Sequence, residues 1–193
     1  MELSDNIWWT RKARIQAEKR LLSSDFQAQT LLLWYSFCSV SAAIYYLKFN
    51  TQSEYAGISW VVFSVLILCI SGFINGLSYK ERAALVKDSY ETLHALYHRA
   101  CKNKEDTNEI AKEYEQILSV CENHSDIDHY LSILNTNLTS NDPNDVNKKP
   151  TFYIWAFISF YFIKRWLILS GLYLLPVIIF FIMEFASDCK GTI

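Results

Sequence analysis

YAGISWVVFSVLILCISGFINGLSY, residues 55–79, holds 25 consecutive positions without a charge. A helix needs about 20 apolar residues to cross a hydrocarbon core, so this stretch is long enough to span a bilayer. A second run upstream, FQAQTLLLWYSFCSVSAAIYYL at 26–47, gives 22 more uncharged positions. A chain of 193 residues with net charge -2, 51% apolar and 16% aromatic residues would suit an ordinary globular domain by composition alone. Its distribution does not, and the two runs predict a two-span transmembrane hairpin over 26–79.

Working outward, residues 1–25 carry Arg11, Lys12, Arg14, Lys19 and Arg20, with no apolar stretch or small-residue cleavage site typical of a secretory signal. They are expected to form an amphipathic helix on the cytosolic side, the first span itself inserting the chain. Only Lys48 lies between the spans, whereas nine Lys and Arg lie between Lys80 and Lys149. By the positive-inside rule the loop 48–54 faces outside, and the N-terminus and 80–150 face the cytosol. Cys101 and Cys121 would then meet a reducing compartment, and the glycosylation-type matches at Asn123 and Asn137 would be idle.

Beyond the polar linker 141–150, NDPNDVNKKP, come 13 uncharged residues from Thr151 to Ile163, then Lys164 and Arg165, then 18 more from Trp166 to Met183. Thirteen helical residues reach about 20 Å, too short to cross, and 18 reach about 27 Å. A charged pair inside hydrocarbon costs several kcal/mol, so Lys164 and Arg165 are expected to anchor at the cytosolic interface. Region 151–193 therefore reads as an aromatic interfacial helix and a third span kinked at Pro176; a surface hairpin is the alternative. The predicted fold class is an all-α integral membrane protein: a two-span hairpin, a cytosolic helical region and a C-terminal third membrane element.

Between the second span and the linker, region 80–140 has helical periodicity in three stripes. They are Val86, Tyr90, Leu93, Tyr97 and Ala100; Ile110, Tyr114, Ile117 and Cys121; and Ile127, Leu131, Leu134 and Leu138. No proline separates the first stripe from the second span, so the two are expected to form one continuous helix. Within that span Gly72 and Gly76 form a G-x-x-x-G pair that allows close backbone approach. Ser64, Ser71, Asn75 and Ser78 gather beside it, and Ser36 and Ser39 stand on the first span. Such a face could pack the two spans of one subunit, or associate subunits around a narrow pore lined by those residues. Neither of the first two spans contains an acid or base, which argues against a proton relay.

The cluster CENHSDIDHY, residues 121–130, invites a chemical interpretation. Ser125 followed by Asp128 has the form of a capping box at a helix start. Zinc ligation by Cys121, His124 and Asp128 is the rival, without a paired C-x-x-C or H-E-x-x-H to support it. Glu122, Asn123, His124, Asp126, Asp128 and Tyr130 are left as a candidate signal or partner surface. His94 and His98 lie one helical turn apart but lack the glutamate of a zinc protease. Nine basic against thirteen acidic residues from Lys80 to Lys149 exclude a basic nucleic-acid face.

WWTRKARIQAEKRLL at 8–22, leading into LLLWYS, resembles the opening of the SLATT domain, a two-transmembrane effector. SYKERAALVKDSYETLHAL after the second span resembles that family's cytosolic helix. CENHSDIDHY is similar to the Glu-Asn-His signature of the branch found beside reverse transcriptases, and the resemblance extends over about Trp8 to Leu134. It implies a bacterial inner-membrane effector of an antiviral or conflict system that oligomerises on a cytosolic signal and forms a pore, causing death or arrest. The implied partners are the lipid bilayer, further copies of the chain, and a cytosolic trigger such as a reverse transcriptase or nucleotide-signal system. No cofactor, catalytic residue or direct nucleic-acid contact is implied. A membrane-tethered metal enzyme using 122–129, or a passive anchor for a soluble partner, are the alternatives.

Overall fold

The computed structural model describes residues 3–49, 54–102, 107–140 and 146–190. These contain six α-helices and no strand: α1 (Leu3–Phe49), α2 (Glu54–Gly76), α3 (Tyr79–Lys102), α4 (Thr107–Ser119), α5 (Asp126–Thr139) and α6 (Phe152–Lys190). Stretches of α1, α2 and α6 are long and apolar enough to cross a membrane. The expected external loop and the first half of the linker lie outside the described residues.

One expected continuity is corrected, at the end of the second span. No glycine or proline interrupts Leu3–Phe49, and the N-terminal segment and first span form one helix, with Asp5 in the first turn and Lys48 in the last to match the helix dipole. The second span, by contrast, does not run on into α3. It closes with tight bonds from Leu77 N–H to Ile74 O (3.1 Å) and Ser78 N–H to Asn75 O (3.2 Å). Ser78 then takes a left-handed φ of 46°, which ends the helix. The C-terminal region is also one unbroken helix through Lys164 and Arg165, with Pro176 inside it.

The chain forms two compact units, residues 1–25 with 79–162 and residues 26–78 with 163–193. In the first, Trp9 of α1 packs with Ile127, Ile133 and Leu134 of α5 and with Ile154 and Ile158 of α6. A second cluster joins Ile7 to Leu93, Leu96, Ile110 and Ile117, and a third places Ala17 and Leu21 against Ala83 and Val86. Ile154 and Ile158 therefore enter a helical core. The stripe on α3 is rotated from the predicted one: Ser89 and Leu96 are buried with Val86 and Leu93. On α5, Asp128 and Ser132 occupy core positions while Leu138 is exposed, because polar pairing outcompetes apolar periodicity there.

In the second unit Ala42, Tyr46 and Trp60 are buried against Phe63, Ile179, Phe180 and Met183, bringing α1, α2 and α6 together. Apolar contact gains no water-exclusion energy in lipid, so packing and interhelical hydrogen bonds carry more of the specificity. Ser39 Oγ meets Ser64 Oγ at 2.6 Å between α1 and α2. Trp34 Nε1 and Tyr35 Oη donate to the Tyr173 and Leu172 carbonyls of α6 at 3.0 and 2.8 Å.

Candidate functional site

The signature segment centres on Asp128, whose side chain is 0% exposed. Arg20 grips it as a fork, Nε donating to Oδ1 at 2.9 Å and an Nη to Oδ2 at 3.0 Å. The Ser125 backbone N–H (3.0 Å) and hydroxyl (2.7 Å) also donate to Oδ2, in the capping box that starts α5. A carboxylate buried this deeply needs its oxygens occupied by donors, and the bidentate guanidinium supplies the opposite charge. The Asp128 hydrogen bond holds the Arg20 guanidinium above its usual range, against the opposing effect of burial. Asp128 is therefore an internal tie between α1 and α5, not part of an accessible partner surface.

Arg14, six residues earlier on α1, is fully buried. Its guanidinium donates to the carbonyls of Ile117 (3.3 Å) and Leu118 (3.4 Å) at the end of α4. The Ile117 carbonyl also accepts from Val120 N–H (3.4 Å), and these last carbonyls carry the negative end of the dipole, so the cation caps the helix. His124 lies half-buried nearby, with Nδ1 unpartnered among the described residues. Burial holds its imidazole below 6.5, with Arg14 adding to the effect and Asp128 and Asp126 opposing it. His129, set edge-on to Trp9 with ring centroids 6.3 Å apart, is lowered likewise by burial and then by Lys148 and His124. Both rings are thus favoured in their neutral form.

Of the remaining predicted positions, Glu122 is exposed and paired with Arg82 of α3, while Asn123 and Asp126 are exposed. Tyr130 instead packs edge-on against Phe157 at 5.3 Å and Tyr153 at 6.2 Å on α6. The structure thus splits the six residues into a solvent edge and a structural interior. The zinc set is broken up as well, because the Asp128 oxygens are already held by Arg20 and Ser125. Among the described residues no group of three His, Cys, Asp or Glu side chains is placed to hold a metal.

In the membrane unit, a Cβ added at Gly72 or Gly76 would meet nothing within 4 Å. The glycines therefore do not pack the spans of one subunit together. Asn75, between them, is exposed. Ser39 and Ser64, predicted as pore-lining candidates, spend their hydroxyls on each other at the α1–α2 contact, and Ser36 bonds the Leu32 carbonyl of its own helix. Ser71 is half-buried, and Ser78 lies at the helix break. Lys164 is exposed, whereas Arg165 reaches Gln27 Oε1 of α1 at 2.6 Å.

Sequence reasoning missed Trp34, Tyr35, Arg14, Arg20 and Glu184. Pro176 held a usable signal for the first two. A proline inside a membrane helix frees the carbonyl four residues earlier, here Leu172, and loosens the one beside it, so donors on a neighbouring helix were required.

With the helices and these sites in view, the comparisons agree with the fold. The family model described as SMODS and SLOG-associating 2TM effector domain family 5 matches residues 1–183. No curated protein and no solved structure matches. The match takes in α1, α2, the signature segment and the greater part of α6, well beyond the Trp8–Leu134 stretch that carried the resemblance, and the chain belongs to this family of membrane effector domains.

Proposed function

We propose that the chain is a membrane-disrupting effector of a bacterial conflict or antiviral system, which self-associates through α2 and opens a leak in the inner membrane. The observation that carries this reading is the open face of α2: Gly72 and Gly76 with empty space over both Cβ positions, and Asn75 exposed between them. A small-residue strip lets a second helix approach closely, and an amide facing lipid gains a hydrogen bond when copies meet. Asn75 and Ser71 are the pore-lining residues in this proposal; Ser39 and Ser64 remain helix-pair contacts. The trigger reaches the bundle of residues 1–25 and 79–162 from the cytosol. The edge bearing Glu122, Asn123 and Asp126 is the surface on offer to a trigger partner, such as a reverse transcriptase or a nucleotide-signal system.

The test is membrane depolarisation in cells expressing the chain, read with a potential-sensitive dye beside the Gly72→Leu, Gly76→Leu double variant. Depolarisation lost in the variant, at equal membrane insertion, is the expected result. Equal depolarisation by both would remove the α2 face from the mechanism. A passive anchor would leave the potential unchanged even with its trigger supplied.

A further inference from the structure

Glu184 lies near the end of α6 and accepts hydrogen bonds from Tyr45 Oη (3.0 Å) and Tyr46 Oη (3.2 Å) of α1. No cationic side chain pairs with it among the described residues. It follows Lys164 by 20 residues, which in a helix is about 30 Å, the thickness of the hydrocarbon core. With Lys164 and Arg165 at one boundary, Glu184 sits at headgroup depth at the other. Two phenol hydroxyls satisfy some of its lone pairs but supply no positive charge, and a carboxylate facing an apolar phase calls for a counter-cation.

The same helices leave an apolar cleft of about 390 Å³ in the membrane unit. Phe37, Tyr45, Trp60, Pro176, Phe180 and Phe181 are among its walls. Tyr45 belongs to both features: it lines the cleft and bonds Glu184. Trp60 is 2% exposed and packs with Tyr46 in the same buried cluster. The place therefore combines a carboxylate without a counter-ion among the described residues, an electron-rich aromatic face, and an apolar groove between the helices of the membrane unit.

We infer that this is a binding site for a phospholipid with an ammonium headgroup of the ethanolamine type. The ammonium meets Glu184 and the face of Tyr45, where cation–aromatic attraction adds to the ion pair. One acyl chain fills the cleft beside Pro176. A phosphatidylglycerol of the same chain length fits the groove equally well but brings an anionic headgroup and no ammonium. Headgroup charge, not chain length, thus decides retention.

The experiment is native mass spectrometry of the full chain released from micelles containing phosphatidylethanolamine or phosphatidylglycerol with identical acyl chains. The intact chain should retain ethanolamine lipid adducts in preference to glycerol lipid ones. Glu184→Gln, whose amide oxygen accepts from one tyrosine while its NH2 donates to the hydroxyl oxygen of the other, should weaken ethanolamine lipid retention about tenfold and leave glycerol lipid retention unchanged. Equal retention of both lipids by the intact chain, a result that needs no variant to fold, would overturn the proposal. So would undiminished ethanolamine lipid binding by Glu184→Gln. Either outcome is independent of whether the chain depolarises membranes.

Discussion

Replacing either member of the Arg20–Asp128 pair should expose an asymmetry in the bundle. Breaking a buried ion pair by removing one partner costs about 3–5 kcal/mol, most of it from the charge left behind. In Asp128→Asn the residue left behind is Arg20, whose side chain is 27% exposed and can recover water, and Asn Oδ1 still accepts from the Ser125 N–H. The cost falls to about 2–3 kcal/mol. In Arg20→Gln the group left behind is the carboxylate, which is 0% exposed, and the cost is about 3–5 kcal/mol. For a chain of this size each kcal/mol lowers Tm by about 2–4 °C, so Asp128→Asn should melt roughly 5–10 °C early and Arg20→Gln earlier still. Near-ultraviolet circular dichroism of the full chain in mild micelles is suited to this, because Trp8 and Trp9 lie edge-on at 4.7 Å beside the α5 contact. An Asp128→Asn variant melting within a degree of the parent, or one melting below Arg20→Gln, would refute the account of Asp128 as the buried and dependent partner.

The donors facing Pro176 should matter only together: Trp34→Phe with Tyr35→Phe leaves the Leu172 and Tyr173 carbonyls unmet in lipid, for a cost of about 1–3 kcal/mol. Unchanged resistance to unfolding by denaturing detergent in the double variant would contradict that. The bundle should also weaken in acid. Because His124 and His129 titrate below 6.5 when folded, the unfolded chain binds more protons in that range, and stability is full above about pH 6.5 and falls as pH drops toward the folded values. A melt series from pH 7.5 to 5.5 should show this loss, and His124→Asn with His129→Gln should flatten it; a parent whose Tm does not move over that range would refute it.

Much of the fold was legible because hydrocarbon imposes a length rule on any segment that crosses it. Uncharged runs at 26–47 and 55–79 placed two spans without reference to their partners, and the Ser125–Asp128 cap was legible because a capping box is local. What escaped was non-local. Arg20 and Asp128 stand 108 positions apart, and nothing at either position names the other. The same holds for Ser39 and Ser64, which look like a polar lining one helix at a time and become a packing contact when the helices pair. The break at Ser78 was hidden for another reason. Leu77–Ser78–Tyr79 contains neither glycine nor proline at the residue that turns left-handed, so the hydrophobic periodicity passes across it undisturbed. On α6, the Lys164–Arg165 pair suggested two pieces, yet an exposed lysine and an arginine satisfied by Gln27 let the helix continue.

The pairing of Trp34 and Tyr35 with carbonyls around Pro176 also sets an order of events during synthesis. The donors leave the ribosome about 140 residues before their acceptors, which at 5–20 residues per second is a wait of roughly 7–28 seconds. Throughout that interval the first helix sits in lipid with an indole and a phenol unmatched, and a chain cut short before Tyr173 would keep them so. The two side chains thus differ in their bonding between a finished copy and a fragment.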